Sequence, residues 1–178
     1  MKPIVLIIIF LSCSLRVQAQ QPTMPETTAS INFKIKNFGI YVNGSFTDIT
    51  IHSNFNSNNL KDSFINAGIK VNSLTTHNTK RDKHLFKEDF FDIGKYKEIR
   101  LLSTNIQKVS ANQYKLYARL TIKKTTKEIV IPLHITEAQH TTTITSNFSI
   151  NRRDYKVGAN SWVLSDIVKI QVVYTIKK

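Results

Sequence analysis

At 178 residues, with 41% hydrophobic and 21% charged side chains, the chain is sized for one domain. That composition excludes a disordered acidic tail, a collagen-like fibre and a polytopic membrane protein. Lys plus Arg number 25 against 12 Asp plus Glu, a formal charge of +13. Such a surplus favours anionic partners (phospholipid headgroups, pyrophosphates, acidic glycans, nucleic acid) without choosing among them.

Lys2 followed by the apolar run Ile4 to Leu11 has the form of a secretory signal, and the run is too short to span a bilayer. Val17-Gln18-Ala19 places the expected cut after Ala19, giving a signal peptide over 1–19 and a periplasmic or secreted chain. The alternative is lipidation at Cys13, against which Phe10-Leu11-Ser12-Cys13 makes a poor lipobox. Cleavage removes Cys13, the only cysteine, so the remaining chain has no disulfide, thiol nucleophile or thiolate metal site. Residues 20–29 form a polar, Pro-containing leader that is expected to be flexible, and 30–178 form the domain.

From there the dominant signal is period-two alternation. Ile31, Phe33 and Ile35 alternate with Asn32, Lys34 and Lys36. Ile40, Val42, Gly44 and Phe46 form a second strand, and Ile65, Ala67, Ile69 and Val71 a third. Ile99 to Val109 is a looser strand. Tyr114, Leu116, Ala118, Leu120 and Ile122 oppose Lys115, Tyr117, Arg119, Thr121 and Lys123, the clearest case in the chain. Ile129 to Ile135, Ile144 to Ile150 and Val168 to Ile176 complete eight strands.

The joins Asn37-Phe38-Gly39, Ser110-Ala111-Asn112, Lys123 to Thr126 and Ala138-Gln139-His140 are short, so neighbouring strands are antiparallel. Long strands on an open sheet leave an exposed edge, which closure removes. The expected fold is therefore all-β, an eight-stranded antiparallel barrel. Its polar Lys, Thr, Asn and Arg face outward, the reverse of an outer-membrane barrel. The segment Leu74 to Lys95 breaks the rhythm. Thr76 or Asn78 can cap a short helix over Lys80 to Phe86, with Phe90-Phe91 packing back as a plug.

This segment carries a resemblance. Arg81-Asp82-x-His84-Leu85, then Phe90-Phe91-Asp92 and Lys95-Tyr96, resembles the signature of the YceI-like family of lipocalin-like periplasmic barrels associated with polyisoprenoid binding. Asn37-Phe38-Gly39-Ile40, Gly44 to Asp48, Leu120 to Lys123, Asn151 to Tyr155 and Leu164-Ser165-Asp166-x-Val168 agree in order. The chain departs from the family where Asn37, Lys97, Lys124 and Glu128 stand in place of a frequent His, Pro, Gly and Pro.

The resemblance implies a non-catalytic carrier for a lipid-like small molecule, a polyisoprenoid, quinone or other long-chain lipid. The expected wall comprises Phe33 and Ile35, Val42 and Phe46, Ile69 and Val71. Across the barrel it comprises Leu116, Leu120, Ile131 and Phe148, with Arg81, His84, Phe90 and Phe91 at the rim. A chain of about fifteen carbons offers roughly 12 kcal/mol of burial before association costs.

Plainer readings stand beside these. The inward residues can simply fill the barrel, which then acts through its basic surface on anionic envelope components. Arg81 and Asp82 can pair with each other, with His84 on a loop carbonyl. Asp89 and Asp92 suggest paired carboxylates but cap turns more often. No tight histidine pair or Gly-x-Ser-x-Gly elbow occurs, so neither a metal site nor an enzyme is expected. The basic residues are spread over every strand instead of forming one stripe, which argues against nucleic acid and leaves at most weak attraction to anionic membranes. The oligomeric state stays open.

Overall fold

Alternating side chains make strands only where one face finds a core, and here nearly all of them do. The computed structural model describes residues 27–177; the expected signal segment 1–19 and most of the expected leader 20–29 lie outside the described residues. The elements are β1 (Thr27–Asn37), β2 (Ile40–Phe46), β3 (Ile49–Ser53), β4 (Ile65–Lys70) and β5 (Leu74–Thr75). After these come α1 (Thr79–Leu85), β6 (Glu98–Lys108), β7 (Gln113–Ile122), β8 (Thr125–Ala138), β9 (Thr141–Asn151) and β10 (Leu164–Lys177). All strand pairs are antiparallel, in the order β3-β4-β6-β7-β8-β9-β10-β1-β2-β5. The result is a lipocalin-like curled sheet.

The strand count is ten where the alternation predicts eight, and the extra two arise at one seam. The chain runs from β2 into β3 through Thr47-Asp48, and from β4 into β5 through a 3-10 turn at Val71–Ser73. The two ends of the ladder are thus pieces of the same two chain segments. Thr47 N donates to Ser73 O (3.3 Å) and Lys70 N to Asp48 O (3.0 Å) across the break. β1 begins at Thr27, opposite Ile176, so residues 27–29 of the expected leader are strand.

β7 is the most regular strand. Tyr114, Leu116, Ala118, Leu120 and Ile122 are all buried, while Lys115 and Arg119 are exposed. The looseness of β6 has a specific cause: Ser103 pairs Ala118 and Asn105 pairs Tyr117, so Thr104 is an extra residue. A bulge shifts the side-chain phase by one, which is why Leu102 is exposed while Ile99 and Ile106 are buried. At Gly44, opposite Phe33, a Cβ would collide with the Phe33 ring and the Thr75 carbonyl. Glycine there lets that ring lie flat across β2.

Two buried clusters make up the core. One is built on Tyr114, Leu116, Ile131, Ile144 and Tyr174, and the segment 54–64 covers it with Phe55 and Leu60. The Phe55 and Tyr114 rings meet edge to face at 5.3 Å. The other is built on Ile31, Ile69, Val71, Leu120 and Tyr155, and takes Phe86, Phe90 and Phe91 from the α1 segment. The expected helix and plug are therefore both present, with Asn78 as cap: its side chain accepts from Arg81 N.

Burial pushes the Tyr155 hydroxyl up to about 12, with the Asp154 charge adding in the same direction. Burial also raises Tyr174. The folded state thus holds neutral a phenol that titrates near 10 when unfolded. Its contribution is complete below about pH 10 and is lost as pH rises toward about 12. In urea unfolding, the stability difference between the native chain and Tyr155→Phe is expected to be constant below about pH 10. It then moves in favour of the variant above that. A difference flat to pH 12 would mean that Tyr155 ionises without unfolding the protein.

Candidate functional site

Between the two clusters the curled sheet encloses a cavity of about 240 Å³. Its wall is apolar along almost its whole length. β1 supplies Phe33 and Ile35, β2 Val42 and Phe46, and β4 Ile69; Leu116 and Leu120 come from β7, Ile131 from β8 and Phe148 from β9. The α1 segment adds Arg81, Phe90 and Phe91. All of these are expected wall or rim residues.

Two expected residues stand elsewhere. Val71 is 1% exposed and packs in the second cluster, because the 3-10 turn ends the strand period just before it. His84 lies outside the cavity. Its ring meets Phe90 edge on at 5.1 Å, and its Nε2 is 3.7 Å from the Asp89 carboxylate, both side chains being about half exposed.

Polar groups on the wall are few: Asn37, Thr76, Arg81, Ser146, Arg152 and the Tyr174 hydroxyl. Most are already engaged. Ser146 Oγ donates to Pro132 O at 2.6 Å. Thr76 is the hub of the α1 junction. Arg81 donates from Nε to Thr76 Oγ1 (2.7 Å) and from Nη2 to Thr76 O (2.8 Å), while Asp82 accepts from both Thr76 N and Thr76 Oγ1. Arg81 and Asp82 are therefore joined through Thr76 and do not pair directly. Arg81 Nη1 makes no hydrogen bond among the described residues, nor does the Asn37 side chain. With the Tyr174 hydroxyl, these two are the polar groups on the wall with capacity to spare among the described residues.

Arg152 is the functional-site neighbour whose role the sequence hides. Its side chain is 4% exposed. Between Ile35/Val168 and Asn37/Leu164 the β1–β10 ladder shifts register, so Ser165 and Asp166 have no partner on β1. Arg152 holds this stretch: Nε donates to Ser165 O (3.0 Å) and Nη2 to Leu164 O (3.3 Å). Nη1 donates to Val157 O (2.8 Å) and Ala159 O (3.0 Å), and Nη2 also meets Asp166 Oδ1 at 3.0 Å. Burial lowers the Arg152 pKa, opposed by the Asp166 charge. Every nitrogen of this guanidinium is committed to the protein, so Arg152 is a fastener of the loop and has nothing left for a ligand.

The candidate carboxylate pair does not assemble either. Asp89 faces His84 outside the cavity, and Asp92, buried and in a left-handed conformation (φ 50), meets Lys95 at 3.5 Å. Lys123 of the outward set donates to the carbonyls of Glu88 and Lys156, tying two loops together.

Residues 23–176 match the YceI-like domain family. Over 104 residues the chain is 34% identical to a UPF0312 protein of Vibrio parahaemolyticus, which covers 58% of this chain and 55% of that protein. Over 109 residues it is 32% identical to one from Photorhabdus laumondii, covering 61% and 56%. The chain thus spans little more than half the length of these curated relatives. Among solved structures, Burkholderia cenocepacia BcnA superposes with a TM-score of 0.79 at 20% identity, over 83% of this chain and 95% of that one. The Campylobacter jejuni YCEI protein superposes at 0.71 and 25% identity, over 77% and 85%. A polyisoprenoid binding domain from Saccharophagus degradans superposes at 0.68 and 15% identity, over 86% and 96%, and so shares the fold. On the match over nearly its whole described length, this chain belongs to the YceI-like domain family.

Proposed function

We propose that the protein is an exported carrier that holds one long apolar molecule of isoprenoid type and performs no chemistry on it. The observation that carries this reading is the cavity: about 240 Å³ of space walled by side-chain carbon, with unspent polar capacity, among the described residues, at Asn37, Arg81 and the Tyr174 hydroxyl. An apolar chain gains about 0.8 kcal/mol for each methylene it buries there, and a headgroup finds one cation and one amide. The likeness in fold to a polyisoprenoid binding domain agrees with that ligand class. Among the described residues the wall carries no carboxylate or histidine, and burial keeps the Tyr174 phenol neutral, which favours binding over reaction. Lys2, the apolar run that follows and Ala19 support export.

Native mass spectrometry of the purified protein, followed by solvent extraction, tests the reading. A discrete added mass that extracts as a long-chain isoprenoid or related lipid is the expected result. A mass unchanged after incubation with polyprenyl phosphates, quinones and fatty acids would overturn it and leave the basic outer face, with Lys115 and Arg119, as the working surface. Headgroup choice is tested with Arg81→Gln. A charge-assisted hydrogen bond is worth about 1.5–3 kcal/mol, so polyprenyl phosphate affinity is expected to fall by about tenfold or more. Quinone affinity should hold within about twofold. Equal loss for both ligands would assign Arg81 to holding Thr76 and nothing more.

A further inference from the structure

The end of the cavity that carries Asn37 continues outward into a surface of unusual composition. The β1–β2 turn projects Phe38, 74% exposed, with Ile40 beside it at 72%. The 160–163 loop lies against this turn, Phe38 N donating to Val163 O at 2.9 Å, and projects Trp162, which is fully exposed. Val163 and Ile167 extend the patch. Asn37 and its pairing partner Leu164 line the cavity, so the patch adjoins the cavity wall directly.

Two features separate this patch from ordinary scattered apolar exposure. Phe38 and Gly39 have φ of 50 and 77, the two central positions of a hairpin turn that favours Asn-Gly. A bulky aromatic in the left-handed region is strained, and here it is strained without any burial in return. A sequence selected for folding alone would carry Asn. Behind the tips lies a collar of charge. Lys34, Lys36 and Lys169 each hold their ammonium 5.3–5.8 Å from the centre of the exposed Tyr41 ring. At about 3.3 Å per residue, Tyr41 and Lys36 stand two residues, and Lys34 four, behind the turn. That is the depth of a headgroup layer when the tips reach the acyl boundary.

We infer that this rim docks on an anionic lipid bilayer, with Phe38, Ile40, Trp162 and Val163 entering the interface and the three lysines on the headgroup phosphates, so that the cavity exchanges its ligand with the membrane. The bilayer is favoured as occupant because aromatic tips backed by a lysine collar complement its apolar and anionic layers together. The exchange step rests on the carrier reading; the docking itself does not.

Trp162 is the only tryptophan, so it reports directly on the rim. The full chain is mixed with vesicles of phosphatidylcholine and phosphatidylglycerol in equal amounts, and with phosphatidylcholine alone. The expected result is a blue shift of Trp162 emission and co-sedimentation with the mixed vesicles, both weakened by salt. Phe38→Asn suits the turn, so it should fold at least as stably while losing about thirtyfold in vesicle affinity. Replacing Lys34, Lys36 and Lys169 by Gln should lose about a hundredfold on the mixed vesicles. Unchanged emission at low salt, or full binding by Phe38→Asn, would overturn docking. So would a dimer in the absence of vesicles that Phe38→Asn dissolves, since the rim would then belong to a second copy. Lipid retained in the cavity without vesicle binding defeats docking and leaves the carrier reading; vesicle binding by a chain with no extractable lipid does the reverse.

Discussion

Leu120→Trp is expected to abolish ligand uptake in a protein that still folds. Leu120 is central to the wall: it lies on β7 between Leu101 of β6 and Lys127 of β8, and its side chain borders the cavity from the side of the second cluster. In a close-packed core an added ring forces neighbours off their rotamers and costs about 1–3 kcal/mol. Here the adjacent space can accept the indole, so the stability cost should fall at the low end of that range. An indole that displaces about five methylenes of ligand removes roughly 4 kcal/mol, close to a thousandfold in affinity. Titration of a delipidated sample with a quinone or polyprenyl phosphate, beside urea unfolding of the same sample, separates the two effects. Full uptake by a folded Leu120→Trp protein would show that ligand lies elsewhere. A melted variant would be replaced by Leu120→Phe, for which a smaller loss in the same direction is expected.

The reason this experiment can be designed from sequence is that β7 obeys one rule throughout. Each of its five inward residues is buried, and strict alternation lets position 120 be assigned to the interior from neighbours alone. The same rule fails where the backbone departs from regular pairing. The bulge at Thr104 shifts β6 by one residue, which in the sequence appears only as weakened alternation. β3 and β5 are too short, at five and two residues, to show a period, so the seam between β2–β3 and β4–β5 is invisible before folding. Val71 continues the alternation of β4 in the sequence, yet the 3-10 turn that begins there points it into the packed cluster. His84 shares the Arg81 motif, but the short helix ends one residue later and leaves it against Phe90 and Asp89. That Phe38 sits at positive φ and abuts the 160–163 loop depends on tertiary contacts that no local pattern encodes.

Arg152 is the strongest case of a residue whose chemistry invites one function and whose geometry assigns another. An arginine on the wall of a lipid cavity suggests a headgroup site, yet its donors meet the carbonyls of Val157, Ala159, Leu164 and Ser165 and the Asp166 carboxylate. Arg152→Met keeps the alkyl stem but leaves those carbonyls and Asp166 without the guanidinium. A buried acceptor left unsatisfied costs about 1–3 kcal/mol, and breaking a buried ion pair costs about 3–5 kcal/mol. Asp166 is partly exposed and the loop can relax toward water, so a loss of about 3–4 kcal/mol in urea unfolding is expected. Arg152→Lys should recover little of it, because one ammonium cannot reproduce a planar fork that serves carbonyls on both sides. The contrast with Arg81 decides between fastening and recognition. Arg81→Gln should cost headgroup affinity and comparatively little stability. Arg152→Met should cost stability by the same amount for phosphate-headed and quinone-loaded protein. If Arg152→Met instead lost phosphate-headed ligands selectively and unfolded at the native urea concentration, the guanidinium would be serving the ligand and the loop would be held by something else. The same loop carries Trp162, so loosening it by loss of Arg152 is expected to blunt the Trp162 response to anionic vesicles as well. Stability of the β10 bulge and presentation of the rim are then consequences of a single buried side chain.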